Sequence, residues 1–193
     1  MIDTFENYLR TQTDLSEDNV RHISGLAFTR KLRRNEFLFH EGEISRNKVF
    51  VASGLLRIFG MTPDGNEHIL QFAPEFHWMV DAESYDQGTP SLYNVDAVEP
   101  SELLLWTKPD FDGLMVSIPQ LKKFSEHLIS RNTYLGRRRL LTALSATPEQ
   151  KYQDFIQTFP DLLSRLPLRM IAAYLGMSLK TLNRVRQAQL QRS

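Results

Sequence analysis

The sequence predicts an α+β chain: an N-terminal antiparallel β-domain, a long helix, and a C-terminal all-helical domain ending in a helix-turn-helix. Three observations carry this. Short segments rich in β-branched and aromatic residues recur between Glu36 and Trp106, with turn signals between them. Leucines recur every seven residues at Leu121, Leu128 and Leu135, a helical seam. Leu168 to Gln187 spaces its apolar residues as two short helices crossing at a steep angle.

The 193 residues leave room for one large or two small domains, each with its own core. Cysteine is absent, which excludes disulfides, thiolate zinc sites and Cys-ligated iron–sulfur clusters and fits a cytoplasmic location. No apolar run approaches the roughly 18 residues of a membrane span, and Met1–Leu9 carries acids without an apolar block, so neither a membrane anchor nor a signal peptide is expected. The formal net charge is zero, but its distribution is not even. Residues 131–193 hold 11 Lys and Arg against 3 Asp and Glu, whereas residues 1–130 hold 12 against 20. A basic C-terminal segment behind an acidic body suits a tethered DNA-binding domain, with attraction to phosphates where contact occurs and repulsion elsewhere.

In chain order, Ser16 is placed to cap a helix whose first turn carries Glu17 and Asp18. Leu15 and Val20 are spaced as a hydrophobic staple, and Val20, Ile23 and Ala27 line one face. Segments 36–39, 48–52, 54–59, 67–72, 93–98 and 102–106 then read as strands, closed by hairpins into a sandwich or barrel. Thr107, with Pro109 in the first turn, caps the helix that follows, and Ser117-Ile118-Pro119 repeats the signal. A longer helix is expected over 119–145. Its Leu121, Phe124, Leu128 and Leu135 face suits pairing with a second copy, the alternative being packing on the chain's own sheet. Arg137-Arg138-Arg139 near its end reads as a solvated face rather than a phosphate contact. Thr147-Pro148-Glu149-Gln150 is a capping box that opens the next helix and marks a boundary near Ala146. The expected division is therefore 1–118, 119–146 and 147–193.

Within the helix-turn-helix, Ile171, Leu175, Met177, Leu182 and Val185 occupy the inward positions and Ala172 is small enough for close helix approach. Gly176 supplies the left-handed residue that ends the first helix, and Ser178 caps the second. The alternative, an ordinary corner between two core helices, does not require all of these features together. With the inward set fixed, Ser178, Leu179, Lys180, Thr181, Asn183, Arg184 and Gln187 are the candidate DNA-facing residues.

An acidic β-domain, a long helix and a C-terminal helix-turn-helix, in this order, resemble the Crp/Fnr family of bacterial transcription regulators. The resemblance covers nearly the whole chain. It includes the Glu41-Gly42-Glu43 turn, the Val51-Ala52-Ser53-Gly54-Leu55-Leu56-Arg57 hairpin and the turn at Asp64-Gly65-Asn66-Glu67. It implies a cyclic-nucleotide-binding-like β-roll at 1–118, a dimerisation helix at 119–146 and a DNA-binding domain at 147–193. It also implies a homodimer on double-stranded DNA, with RNA polymerase and a small-molecule effector as further partners. Members that bind cyclic AMP carry a Gly-Glu pair for the ribose and an Arg followed by Ser or Thr for the phosphate. Here Val80 or Asp81 stands at the Glu position and Ser91 or Leu92 at the Arg position. The effector is therefore expected not to be cyclic AMP, since a buried phosphate needs a cation. Trp78, Asp81, Glu83, Tyr85, Ser91 and Tyr93 are the candidate lining of a different pocket, the alternative being a roll that serves only as a scaffold. Family members often place a β-hairpin wing before the helix-turn-helix, and Phe159–Pro167 is too short to hold one.

Other chemistry is not signalled. The five His are scattered, no metal or cofactor set is expected, and His77 beside Trp78 reads as structural or exposed rather than as a haem ligand. No phosphate loop or catalytic triad order is present, so an enzyme is not expected. The reading from a different class is a ligand sensor whose helical tail makes protein contacts instead of binding DNA.

Overall fold

The computed structural model describes residues 1–191. The chain divides into two compact units, Met1–Gly60 with Leu70–Leu128, and Met61–Ile69 with Ile129–Ser193.

The first unit opens with α1 (Ile2–Gln12), a helix that the sequence reading did not anticipate because only Phe5 and Leu9 face inward. Ser16 caps α2 (Glu17–Gly25) by accepting from the Asn19 amide, and Val20 and Ile23 are buried as the staple requires. The strands are β1 (Phe28–Leu32), β2 (Phe37–Phe39), β3 (Asn47–Ser53), β4 (Leu56–Met61), β5 (Glu67–Ala73), β6 (Trp78–Met79), β7 (Asn94–Ala97) and β8 (Ser101–Thr107). They form two four-stranded sheets, β1-β8-β3-β6 and β2-β7-β4-β5. This is the antiparallel roll expected, with β1, β6 and the short helix α3 (Ala82–Gln87) as additions.

Alternation along the strands gives the roll two cores. Leu32, Val49, Val51, Leu56, Ile58, Val95, Ala97, Leu103 and Leu105 cluster between the sheets. Phe50, Ala52, Leu104 and Trp106 point the other way and pack with residues of α1, α2 and α4 (Lys108–Ser117). There the Trp106 indole donates to the Ile23 carbonyl at 2.8 Å. Gly54 turns the chain between β3 and β4 at φ 93°, where a Cβ would collide with the Ser101 side chain and the Pro100 carbonyl.

Thr107 caps α4 by accepting from the Asp110 amide, and Ile118 ends it before Pro119. The next helix, α5, spans Pro119–Ser145 as expected, but its buried and exposed apolar residues divide differently from the expected seam. Leu121 is only 1% exposed, packed among Phe111, Leu114 and Ile118, and Phe124 lies against the same core, 6.2 Å from the Tyr8 ring. These two residues serve the chain's own roll and are corrected out of the exposed face. Leu128 is half-buried and Leu135 is 46% exposed. The exposed stripe runs one residue further round, through Ile129, Thr133, Gly136, Leu140 and Leu144, beside Tyr134 and Leu141.

In the second unit, Thr147 and Gln150 form the reciprocal capping box of α6 (Pro148–Thr158). After α7 (Leu162–Arg165) come α8 (Leu168–Leu175) and α9 (Leu179–Leu190). Among the described residues no strand follows Thr107, so the helix-turn-helix carries no hairpin wing. Phe155, Phe159 and Tyr174 pack as a ring cluster with centroids 5.6–6.0 Å apart, and Gln189 of α9 donates to Gln153 of α6 at 3.0 Å.

Candidate nucleic-acid interface and effector pocket

The helix-turn-helix is built from local chemistry. Gly176 takes φ 64° after α8, and the amides of Gly176 and Met177 both return to the Ala172 carbonyl, closing the turn. Ser178 Oγ then accepts from the Thr181 amide at 3.1 Å, which starts α9. Ile171, Ala172, Leu175, Leu182 and Val185 are buried as the spacing predicts, while Met177 is only half-buried. With Leu182 and Val185 turned inward, the opposite side of α9 is open. Leu179, Lys180, Thr181, Asn183, Arg184 and Gln187 line one open concavity there, with Ser178 exposed at its start. Residues 179–190 include Lys180, Arg184 and Arg186 and no acid. The face therefore offers two exposed cations, two amides and a hydroxyl at the end of a rigid helix.

The six roll positions do not converge. Asp81, Ser91 and Tyr93 come together: Ser91 Oγ donates to Asp81 Oδ2 at 2.6 Å and accepts from the Tyr93 amide at 3.0 Å. Asp81 and Ser91 are both buried, and the half-buried Tyr93 packs against the core between the sheets. Asp81 also caps α3 through the Ser84 amide. Two serines not anticipated from sequence complete this network. Ser84 Oγ accepts from the Ser45 amide at 2.9 Å and donates to the Thr89 carbonyl at 2.6 Å. The backbone of Ser91 is further tied to Gly42 and Glu43, each at 2.8 Å.

Trp78, Tyr85 and Glu83 are corrections. Trp78 belongs to the opposite face of the first sheet, with Phe5, Phe50, Trp106 and Phe111 around it at centroid distances of 5.2–5.8 Å. Tyr85 is buried beneath the Lys108 ammonium, 4.4 Å from its ring, at the start of α4. Burial, reinforced by Asp112 and Asp86, pushes its phenol well above the ordinary tyrosine range. Glu83 is exposed. One residue in sequence decides each case: α3 places its buried side toward Ser84 and Tyr85, and β6 turns Trp78 away from Met79.

A second missed feature is a buried ion pair. Arg57 of β4 and Asp96 of β7 are register partners, and Nε and Nη2 donate to the two carboxylate oxygens at 2.7 and 2.9 Å. A charge in the middle of each apolar strand was the signal available.

Among the described residues no group of His, Cys, Asp or Glu is placed to hold a metal ion, and no helix is long and apolar enough to cross a membrane.

In chain order the molecule is a cyclic-nucleotide-binding-type roll, a long helix and a capped helix-turn-helix with a basic open face. Comparison with known proteins agrees. The cyclic nucleotide-binding domain family matches residues 29–117. The transcriptional activator protein FnrA of Stutzerimonas stutzeri is 27% identical over 172 residues, which take in 81% of this chain and 68% of that protein. Among solved structures, FixK2 of Bradyrhizobium japonicum superposes with a TM-score of 0.75 at 15% identity, covering 86% of this chain and 85% of that one. The c-di-GMP responsive global regulator CLP of Xanthomonas campestris gives 0.73 at 14% identity, covering 92% of each. The chain is thus similar in sequence to a transcriptional activator and shares its fold with solved bacterial regulators.

Proposed function

We propose that the chain is a cytoplasmic, homodimeric, sequence-specific DNA-binding regulator whose β-roll answers to an effector other than a cyclic nucleotide. The domain assignment that goes with this is a sensor roll at 1–118, a dimerisation helix at 119–146 and a DNA-binding domain at 147–193. RNA polymerase is the proposed further partner of the DNA-bound form. The observation that carries the reading is the open, acid-free face of α9 on a helix-turn-helix whose turn and cap are both formed. A gel shift on selected operator DNA across a salt series tests it: affinity falls steeply with salt if the face neutralises phosphates. A tail built for protein contacts gives no salt-dependent shift.

Arg184 is the proposed reader of a guanine, because a guanidinium bonds O6 and N7 together, worth about 1–3 kcal/mol of discrimination. Arg184→Ala is expected to relax preference at one base position in each half-site. A binding selection that returns an unchanged motif from the variant removes that assignment.

Cyclic nucleotides are excluded from this proposal on electrostatic grounds. The position that would supply an Arg to the phosphate holds Ser91, whose hydroxyl is committed to the Asp81 carboxylate. A cyclic phosphate entering there meets the buried Asp81 with a serine, not a cation, at the position of the Arg, which is strongly unfavourable. Calorimetric titration with cyclic AMP and cyclic GMP is expected to give no binding heat up to about millimolar ligand, a ceiling of roughly 4 kcal/mol in affinity. Saturable micromolar binding of either would overturn the proposal.

A further inference from the structure

The basic run 137–139 near the end of α5 is not one solvated face. Arg138 is exposed and pairs with Asp154 at 2.6 Å. Arg139 is half-buried, and among the described residues its partners are two carbonyls and a ring, with no carboxylate. Its Nη2 donates to the Ile69 carbonyl at 2.7 Å and to the Tyr174 carbonyl at 3.0 Å. The guanidinium carbon lies 3.8 Å from the centroid of the Tyr174 ring.

The location of Tyr174 gives these contacts their meaning. It is the penultimate residue of α8, so its carbonyl is one of the last four that no intrahelical amide satisfies. A cation there also lies at the negative end of the helix dipole. With eight residues, α8 is too short to be stable by itself and depends on such external contacts. Two residues beyond Tyr174 the chain turns at Gly176, and Ser178 begins α9. Whatever fixes the end of α8 therefore fixes the direction of α9. Arginine suits this place because its planar fork can donate in its own plane while its face stacks on a ring, which an ammonium cannot do.

We propose that Arg139 is a positioning residue for DNA recognition: it clamps the C-terminal end of α8, and so aims the open face of α9, without touching DNA. The inference rests on the DNA-binding reading above. Burial holds the guanidinium below its ordinary value, as expected for a cation given over to internal contacts.

Arg139→Lys and Arg139→Ala test it in the full-length protein, with Arg138→Ala as the exposed control. Two readouts are needed. Amide exchange in the free protein follows Gly176 and Met177, whose bonds to the Ala172 carbonyl close the turn. Both Arg139 variants are expected to raise exchange at these amides about tenfold, the loss of a stacked, charge-assisted contact, while the control leaves them unchanged. On DNA, both are expected to raise Kd by about tenfold with the slope of log Kd against log salt unaltered. Unchanged exchange in both variants overturns the clamp. So does a Lys variant with wild-type affinity, or a slope reduced by about 0.9 in the Ala variant, since either marks a direct phosphate contact. If wild-type protein binds no DNA, the DNA reading fails by itself, and the exchange measurement still decides whether Arg139 holds the turn.

Discussion

Replacing Asp96 with alanine is expected to destabilise the roll by about 3–5 kcal/mol, because it takes the bidentate carboxylate away from the buried Arg57 guanidinium. The two residues are 7% and 3% exposed, and the pair is bidentate. Arg57 also lies 4.2 Å from the centroid of the Phe59 ring, which limits its escape to water. Desolvating both ions is costly in itself, so the pair is not expected to add much net stability over an apolar substitute. The expected pattern is asymmetric. Asp96→Ala is severely destabilising, whereas Arg57→Met combined with Asp96→Leu falls near wild type or above it. Urea unfolding of the three proteins, followed by tryptophan fluorescence, measures this. Trp106 is fully buried in the roll and reports its opening. An Asp96→Ala variant within about 1 kcal/mol of wild type would show that the guanidinium finds water or another acceptor. Asp96 lies on the strand that begins just after Ser91 and Tyr93, so loss of the pair is expected to loosen the Asp81–Ser91 side of the roll as well.

Leu140→Asp is expected to convert the protein from dimer to monomer at low micromolar concentration while leaving both units folded. Leu140 is 59% exposed and Leu144 is 78% exposed, next to Ile129, Thr133 and Gly136 on one stripe of α5. The spacings of four, three, four and four keep these residues on one face of the helix, and Gly136 permits a second helix to approach closely there. In a two-fold dimer the substitution occurs twice at the same seam. Burying even one unpaired carboxylate costs several kcal/mol, which weakens association by about 10³-fold or more. Sedimentation checks it directly, and DNA binding by the variant should fall with it, since a lone helix-turn-helix reads one half-site. A wild-type monomer, or an intact Leu140→Asp dimer, sinks the assignment of this stripe. Leu121→Asp is the contrasting variant. It is expected to unfold the roll instead, because Leu121 is part of that unit's own core.

The sequence by itself determined the elements whose chemistry is local. Ser16, Thr107, Thr147 and Ser178 each cap the helix that follows by accepting from an amide three residues on, and Gly176 takes the left-handed turn that only it tolerates cheaply. The bounds of α5 and the outward set on α9 were legible for the same reason: Pro119 and the helical period act within a few residues. The tertiary structure alone decided which surface a given face meets. A seven-residue leucine repeat is equally suited to a partner helix or to the chain's own roll, and Leu121 and Phe124 went to the roll. Trp78 and Tyr85 were placed by a two-residue strand and a six-residue helix too short to have a readable period. The Arg57–Asp96 pair joins residues 39 apart, and Arg139 meets carbonyls 70 and 35 residues away. Charges at such separations find each other only after strands and helices have closed around them, because burial is what makes an unpaired cation costly and so selects its partner.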